Sequence, residues 1–248
     1  MNSGRARTYS SRVVVLRTYD LGESDRILVL ATAERGLVRA VAKGVRKTAS
    51  RFGSRLEPFM VSDCHLAEGR SLDRVTQAVS VASYGIGIVQ DYDAFMYASA
   101  LAELTEVLWR DDPQAEYFDL VHGAVAALAR RRYPPQQVFD AFALRAMARS
   151  GWDMSVESCA VTGETQGLTS FSPSHGGVLS TALVRLPGAT ILRPGTRELL
   201  SSLKSGDWSA VLASDEAARR QAHQLVRAYL GWHLEKTIST LTRLDRQP

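Results

Sequence analysis

Short apolar runs separated by turn residues fill the first eighty positions and predict β-strands. The runs lie at 13–16, 27–30, 37–41, 59–66 and about 72–81. Turn residues such as Gly22 and Gly36 stand between them,. Five short strands in so little chain predict a small closed barrel. The five-stranded OB-fold fits that count, although periodicity alone does not separate it from an SH3-like barrel.

Beyond Ser83 the apolar residues recur at helical spacing,. One predicted helix stops at Asp111-Asp112-Pro113, and a second ends at Arg130-Arg131-Arg132. A third opens at Pro134-Pro135, because proline is tolerated in the first turn of a helix. A single apolar stripe from Ala222 to Leu241 predicts one long final helix,.

A segment rich in Gly, Ser and Thr interrupts the helical part between 151 and 185. It predicts a small β-ribbon inserted at about 153–185. The fold class is therefore α+β. We expect an OB-type domain over residues 1–81, followed by a helical domain over 82–248 that carries the ribbon.

Charge is distributed unevenly along the chain. The 248 residues carry a formal net charge of +4, but residues 1–80 hold 14 Lys/Arg against 8 Asp/Glu. The first third therefore carries the positive charge, and the remainder is slightly negative. Two cysteines predict no disulfide framework,. We find no apolar run long enough for a membrane span and no signal peptide, so we expect a cytoplasmic location.

The segment from Arg35 to Arg55 is the strongest candidate for a binding surface. It contains seven cations and no Asp or Glu, and its middle is expected to be a loop that projects from the barrel. Cations displace the counterions of a phosphate backbone, and an aromatic ring can stack on an unpaired base. The simpler alternative is a solvated loop that only aids solubility. The candidate DNA-binding residues are Arg39, Lys43, Arg46, Lys47, Arg51, Phe52 and Arg55.

Motifs for covalent chemistry are missing from the sequence. It contains no phosphate-binding GxxxxGK[ST] loop, no HExxH and no GxSxG,. Asp20, Glu23 and Asp25 cluster at a predicted hairpin. A metal-dependent nuclease could use such acids, but a polar turn is the more common explanation. We expect no catalytic residues and no enzymatic activity.

Several segments resemble the RecO family of recombinational repair proteins. The resemblance runs in order from about residue 10 to 240. It is carried by residues 15–26, 34–37, 42–47, 55–59, 141–145 and 171–179. It implies an OB domain that binds single- and double-stranded DNA, followed by a helical domain with a ribbon. It also implies a nucleoid-associated protein that anneals strands and helps load recombinase, with RecR and single-strand-binding protein as partners. An RNA-binding OB factor remains the alternative.

One departure from the family pattern concerns a metal. Many family members carry a Cys₄ zinc ribbon, and the matching positions in this chain are Cys159, Thr162, Ser180 and Leu183. A closed zinc site needs four strong ligands, mostly Cys and His. Because only one thiolate remains, we expect no structural zinc and no other cofactor. A small apolar core would hold the ribbon instead, with these candidates: Val161, Leu168, Phe171, Val178, Leu179 and Leu183.

The first prediction follows from this ligand set. Protein purified without chelator should contain far less than one zinc per chain, because two good ligands at most (Cys159 and His175) give only weak, exchangeable binding. Chelator should leave the melting temperature unchanged, whereas Leu183→Ser should lower it. Stoichiometric zinc that survives dialysis would contradict the prediction.

Overall fold

A closed five-stranded barrel forms the N-terminal part of the structure, a computed structural model that describes residues 7–110, 117–234 and 238–244. The strands are β1 (Thr8–Leu21), β2 (Asp25–Thr32), β3 (Gly36–Ala42), β4 (Val61–Ala67) and β5 (Asp73–Ala82). Their order is β1-β2-β3-β5-β4, and β4 pairs back onto β1. All pairs are antiparallel except β3 with β5. This confirms the predicted OB-type barrel.

Alternate side chains along the strands point inward and fill the barrel. Val13 and Val15 of β1 face Leu28 and Leu30 of β2 inside it, and all four are completely buried. Strand β1 contains a bulge between Val15 and Arg17, which changes the local twist so that the long strand can curve around the barrel.

Strand β4 begins at Val61, two residues later than predicted. Phe59 is the cause, because its φ of 65° lies in the left-handed region, which is incompatible with an extended strand,. The Phe59 N–H still donates to the Val15 carbonyl at 2.7 Å, and its ring packs edge-on against Phe95. These contacts hold the unusual backbone in place.

The capping segment, residues 43–60 between β3 and β4, closes one mouth of the barrel. Val45, Phe52 and Leu56 are buried in the barrel core, and a short 3-10 turn spans Gly53–Leu56. The expectation of a projecting loop with a solvent-facing Phe52 is therefore wrong. Phe52 is only 1% exposed, because the open barrel mouth offers apolar surface that a large ring can cover.

Three helices follow the barrel, and the second and third of them pack against β1, β2 and β3. They are α1 (Tyr84–Ile88), α2 (Tyr92–Trp109) and α3 (Phe118–Ala129). Helix α3 ends just before residues 130–132, as predicted. Arg131, which follows it, donates to the Gly87 carbonyl of α1 at 3.5 Å. The predicted stop at Asp111-Asp112-Pro113 lies outside the described residues. The first compact unit thus extends to Arg132, and the second begins at Tyr133.

The second unit combines helices with a three-stranded sheet. Its helices are α4 (Pro135–Arg149), α5 (Thr196–Ser205), α6 (Trp208–Ala213), α7 (Glu216–His233) and α8 (Ser239–Leu244). The sheet has the order β7-β6-β8 and comprises β6 (Leu168–Ser172), β7 (Gly177–Ser180) and β8 (Thr190–Ile191). Pro135 opens α4, as predicted. The final helix is shorter than predicted, because Leu234 is extended and ends α7, and a separate helix follows.

Polar contacts across the second unit join elements that are distant in sequence. Asp140 of α4 is 1% exposed and lies 2.8 Å from Nδ1 of His223 on α7. Gln221 accepts from the Thr196 hydroxyl and donates to the Ile191 carbonyl, each at 2.8 Å. Buried polar groups must be hydrogen-bonded, and these pairs fix α7 against α4, α5 and β8.

The barrel cap supplies the second prediction. Phe52→Ala should lower the free energy of unfolding by about 3–5 kcal/mol, because it removes a fully buried ring and leaves a cavity in the barrel mouth. Urea titration followed by circular dichroism measures the change. The exposed neighbour Ser54→Ala is the control and should stay within about 0.5 kcal/mol of the parent. Equal effects in the two variants would show that the cap is not a packed part of the barrel.

Candidate nucleic-acid interface

The capping segment presents its cations outward while its apolar residues point into the barrel. Five of the seven predicted cations lie on it, and all five are exposed: Lys43, Arg46, Lys47, Arg51 and Arg55. The polar side of a segment that buries Val45, Phe52 and Leu56 has to face solvent. Burial of the apolar residues therefore produces the cationic surface at this end of the barrel.

Hydrogen bonds hold this segment to the neighbouring strands. The Gly44 N–H donates to the Asp25 carboxylate at 2.7 Å, and the Arg46 N–H donates to the Ser24 carbonyl at 3.0 Å. On the other side, the buried Ser62 hydroxyl of β4 donates to the Arg55 carbonyl at 2.8 Å. The cations are thus carried by a backbone that is fixed in the absence of a ligand.

Acidic neighbours offset only some of these charges. Arg46 lies 3.3 Å from an Asp20 oxygen and also donates to the Gly22 carbonyl. The Gly44 N–H, and then the charges of Lys43 and Lys47, lower the pKa of Asp25. Across the described residues, no carboxylate lies within ion-pair distance of four cations: Lys43, Lys47, Arg51 and Arg55.

Two arginines of this group are braced by the segment itself. One Arg55 nitrogen donates to the carbonyls of Arg51 at 2.9 Å and Phe52 at 3.2 Å. The Arg51 guanidinium lies 4.9 Å from the centre of the Phe52 ring, a cation–π distance. Both side chains keep their remaining donors toward solvent, where they can meet phosphate oxygens.

The other two predicted cations lie away from the cap. Arg35 is bound to Glu68 at 2.6 Å and stacks over Tyr9 at 3.7 Å. Arg39 is exposed on the outer face of β3. Burial raises the pKa of Glu106 on α2, and the charges of Arg17, Arg110 and Arg39 partly offset this rise. The structure therefore splits the predicted cluster into a cap group of five and two arginines that have acidic neighbours.

Two further findings change the set of candidate DNA-binding residues. Phe52 cannot stack on a base in this structure, because its ring is inside the barrel. Arg74 was not predicted, yet it is exposed and pairs with Val41 in the parallel β3–β5 contact. Sequence position gave no signal for it, since only strand pairing brings it next to the end of β3.

Two of the three hairpin acids, Asp20 and Asp25, make structural contacts. Asp20 pairs with Arg26 at 3.2 Å and with Arg46, and Asp25 accepts from Gly44. The described part of the chain contains no group of three or more His, Cys, Asp or Glu side chains that could hold a metal ion.

The four zinc-ribbon positions do not offer four ligands for a metal. The Cys159 thiol is 2% exposed and accepts from the Ser180 N–H at 3.4 Å. Burial raises its pKa, but hydrogen bonds from Thr162, Val161 and Ser180 outweigh this effect and lower the pKa to about 6. One thiolate, two neutral hydroxyls and the Leu183 side chain do not fit a structural zinc ion.

Apolar packing in the ribbon differs in part from the prediction. Phe171, Val178 and Leu179 are completely buried, as expected of a small core. Val161 is 53% exposed and does not belong to it, while Leu168 and Leu183 are only half-buried. The Leu183→Ser variant should accordingly lower the melting temperature less than a change at Phe171.

Comparison with known proteins decides the family. The family model described as Recombination protein O N terminal matches residues 6–84, and the model described as Recombination protein O C terminal matches residues 89–242. A protein named DNA repair protein RecO from Nocardioides sp. is 41% identical over 243 residues, which cover 96% of this chain and 99% of that one. Its namesake from Frankia casuarinae is 44% identical over 240 residues, 96% and 98% of the two chains. The chain belongs to the RecO family of DNA repair proteins.

The boundary between the two family models of this RecO-family protein coincides with the change from strands to helices. The N-terminal family model ends at residue 84, where the strands give way to helices. The cationic cap lies wholly within that model. No helix in the described ranges has the length and apolarity that crossing a bilayer requires.

The third prediction tests the cap by its salt dependence. If about four cations meet phosphates, the log–log slope of affinity for single strands against salt should be roughly −3, and affinity should fall on the order of 50-fold between 50 and 200 mM salt. The triple variant Lys43→Ala, Lys47→Ala, Arg51→Ala should flatten that slope by about 2.

A charge-matched control removes three exposed arginines of the second unit: Arg185→Ala, Arg193→Ala, Arg220→Ala. It has the same net charge as the cap variant and should keep the parent slope. If both triple variants change the slope equally, net charge rather than the cap determines binding.

Proposed function

We propose that this protein is a non-enzymatic recombination mediator that binds DNA, anneals complementary strands and, with partner proteins, helps load recombinase on single strands. The observation that carries the proposal is the cap: a fixed segment with five exposed cations, four of them without a carboxylate at ion-pair distance in the described structure. Membership of a DNA repair family supports DNA as the polyanion.

Annealing needs only charge neutralisation and proximity. Two phosphate backbones repel each other, and cations that replace their condensed counterions lower this repulsion. Lys43, Lys47 and Arg51 are exposed on one short segment and can neutralise neighbouring phosphates without reading the bases,. Base pairing then supplies the specificity, so that no bond is broken and no metal is required.

Partners of two kinds complete the proposal. The resemblance implies docking of RecR and of the acidic tail of single-strand-binding protein, which requires a cation near an apolar pocket. We place the tail site among the helices that follow the barrel, and the chain would act at the nucleoid in the cytoplasm. Because α1–α3 belong to the compact unit of the barrel, binding of a tail peptide should be measured on the full chain.

In this proposal the ribbon keeps its structure without a bound metal. Cys159 is the one strong ligand among the four family positions, and His175 is hydrogen-bonded to Ser172 at 2.9 Å. Packing of Phe171 against Tyr229 on α7, with ring centres 6.3 Å apart, supports an apolar replacement.

The fourth prediction separates the proposal from its alternatives. With chelator present, the protein should accelerate annealing of two labelled complementary strands, and the cap variant Lys43→Ala, Lys47→Ala, Arg51→Ala should lower the rate on the order of tenfold. The charge-matched control Arg185→Ala, Arg193→Ala, Arg220→Ala should anneal like the parent protein.

Other outcomes of this assay would support one of the two alternative functions. Strand cleavage that depends on a divalent metal would support a nuclease, and a strong preference for structured RNA would support an RNA-binding factor. Annealing at the parent rate by the cap variant would remove the cap from the mechanism.

A further inference from the structure

Burial of Phe52 leaves the cap without an exposed ring, so a base-stacking residue has to be sought elsewhere on the barrel. Tyr19, near the end of β1, is 42% exposed. It lies one residue before Asp20, which pairs with Arg46 of the cap. An exposed aromatic ring therefore stands beside the cationic surface, on a strand rather than on a loop.

Strand register places Tyr19 in a row across four strands. Tyr19 pairs with Ile27 of β2, Ile27 with Val41 of β3, and Val41 with Arg74 of β5. Paired residues on one face of a sheet have Cβ atoms about 4.5–5.5 Å apart. Their neighbours Leu28, Ala40, Ala42 and Val75 point into the barrel, so the row Tyr19–Ile27–Val41–Arg74 lies on the outer face.

The row combines an apolar floor with cations at its sides. Ile27 and Val41 are half-buried, whereas Arg74 is exposed at the end of the row. Arg39 and Lys43 stand two residues before and after Val41, which is about 7 Å along the strand. Lys43 belongs to the cap group, so the row and the cap form one continuous surface.

Helix α2 stops short of this row. The adjacent row on the same face starts at Arg17, which is paired with Glu103 at 3.7 Å and Glu106 at 3.1 Å on α2. Tyr19, one step further along β1, is exposed, as is Leu21 at 40%. Asp25, which pairs with Leu21 across the β1–β2 hairpin, accepts from the Gly44 N–H, and the charge of Lys43 helps to lower its pKa. The local charge therefore still favours an anion.

We propose that the row Tyr19–Ile27–Val41–Arg74 is a nucleobase subsite, in which one unpaired base stacks on the Tyr19 ring and its flanking phosphates meet Lys43 and Arg74. The inference rests on the proposed DNA binding and adds a base contact to it. A flat aromatic ring on an apolar floor with cations at both sides matches a base joined to charged phosphates. Stacking uses the ring and not the hydroxyl, so phenylalanine can replace Tyr19.

The test compares two ligands of equal charge. A short oligothymidylate and an abasic strand of the same length carry the same phosphates, but only the first has bases to stack. The parent protein should bind the oligothymidylate more tightly, and Tyr19→Ala should reduce this preference by at least about fivefold. Tyr19→Phe should keep it. Tyr92→Ala, a change at another exposed aromatic residue on α2, is the matched control and should also keep it.

The salt dependence of binding distinguishes a failure of the base subsite from a failure of the proposed DNA binding. Tyr19→Ala should leave the salt slope unchanged, because the slope counts phosphates and not bases. An intact slope together with an unchanged base preference in Tyr19→Ala would overturn the subsite and leave DNA binding by the cap in place, and the row would then be free for a protein partner. Absence of salt-dependent DNA binding in the parent protein would overturn the proposed function and the subsite with it.

Discussion

Burial of Phe52 and Leu56 in the barrel mouth is the contact on which the candidate interface depends. Without it, residues 43–60 would be an 18-residue connection crowded with like charges. Repulsion between exposed neighbouring cations costs below about 1 kcal/mol per pair in water, whereas a buried aromatic ring contributes about 3–5 kcal/mol. Packing therefore outweighs repulsion, and the cations are held in position before any ligand arrives. A ligand that binds them loses less ordering entropy than one that must order a free loop.

Helix α2 brings carboxylates to one part of the outer surface of the barrel. Where α2 covers the sheet, Glu103 and Glu106 face Arg17 and lie near Arg39, so positive charge there is shared with carboxylates. Toward the cap, Arg26 pairs with Asp20 and Glu57, and Arg46 pairs with Asp20. Among the described residues, no carboxylate lies at ion-pair distance from four further cap cations, namely Lys43, Lys47, Arg51 and Arg55. Four cations of the first third that lack such a partner are thus grouped on the cap. Under the proposed function, the cap and the adjacent sheet face would be where a polyanion binds.

Strands, barrel and helix starts could be predicted because each has a local signal: alternation, turn glycines, and Pro135 at the first turn of α4. The role of Phe52 could not, because a lone ring among arginines looks solvent-exposed until the barrel mouth exists to receive it. The spacing of Val45, Phe52 and Leu56 was the available hint. Contacts such as Asp140 with His223, 83 positions apart, have no local signal at all. The apolar stripe that ends at Leu241 correctly predicted which residues are buried, since Ile238 and Leu241 are each 4% exposed. It did not predict the break between α7 and α8, because two separate helices can bury the same residues.

The ribbon combines a hydrogen-bonded Cys159 with packing contacts that need no metal. Hydrogen bonds from Thr162, Val161 and Ser180 favour a thiolate at Cys159, an arrangement suited to a metal-bound sulfur. The same region is also closed by backbone contacts that need no metal. Ser155 pairs with Gly177, where a side chain at Gly177 would come within 2.2 Å of the Ser155 carbonyl oxygen. Such a close approach requires glycine, and together with the buried Phe171, Val178 and Leu179 it fixes the turn by packing. Replacing Gly177 should therefore disturb the ribbon more than removing the Cys159 thiolate does.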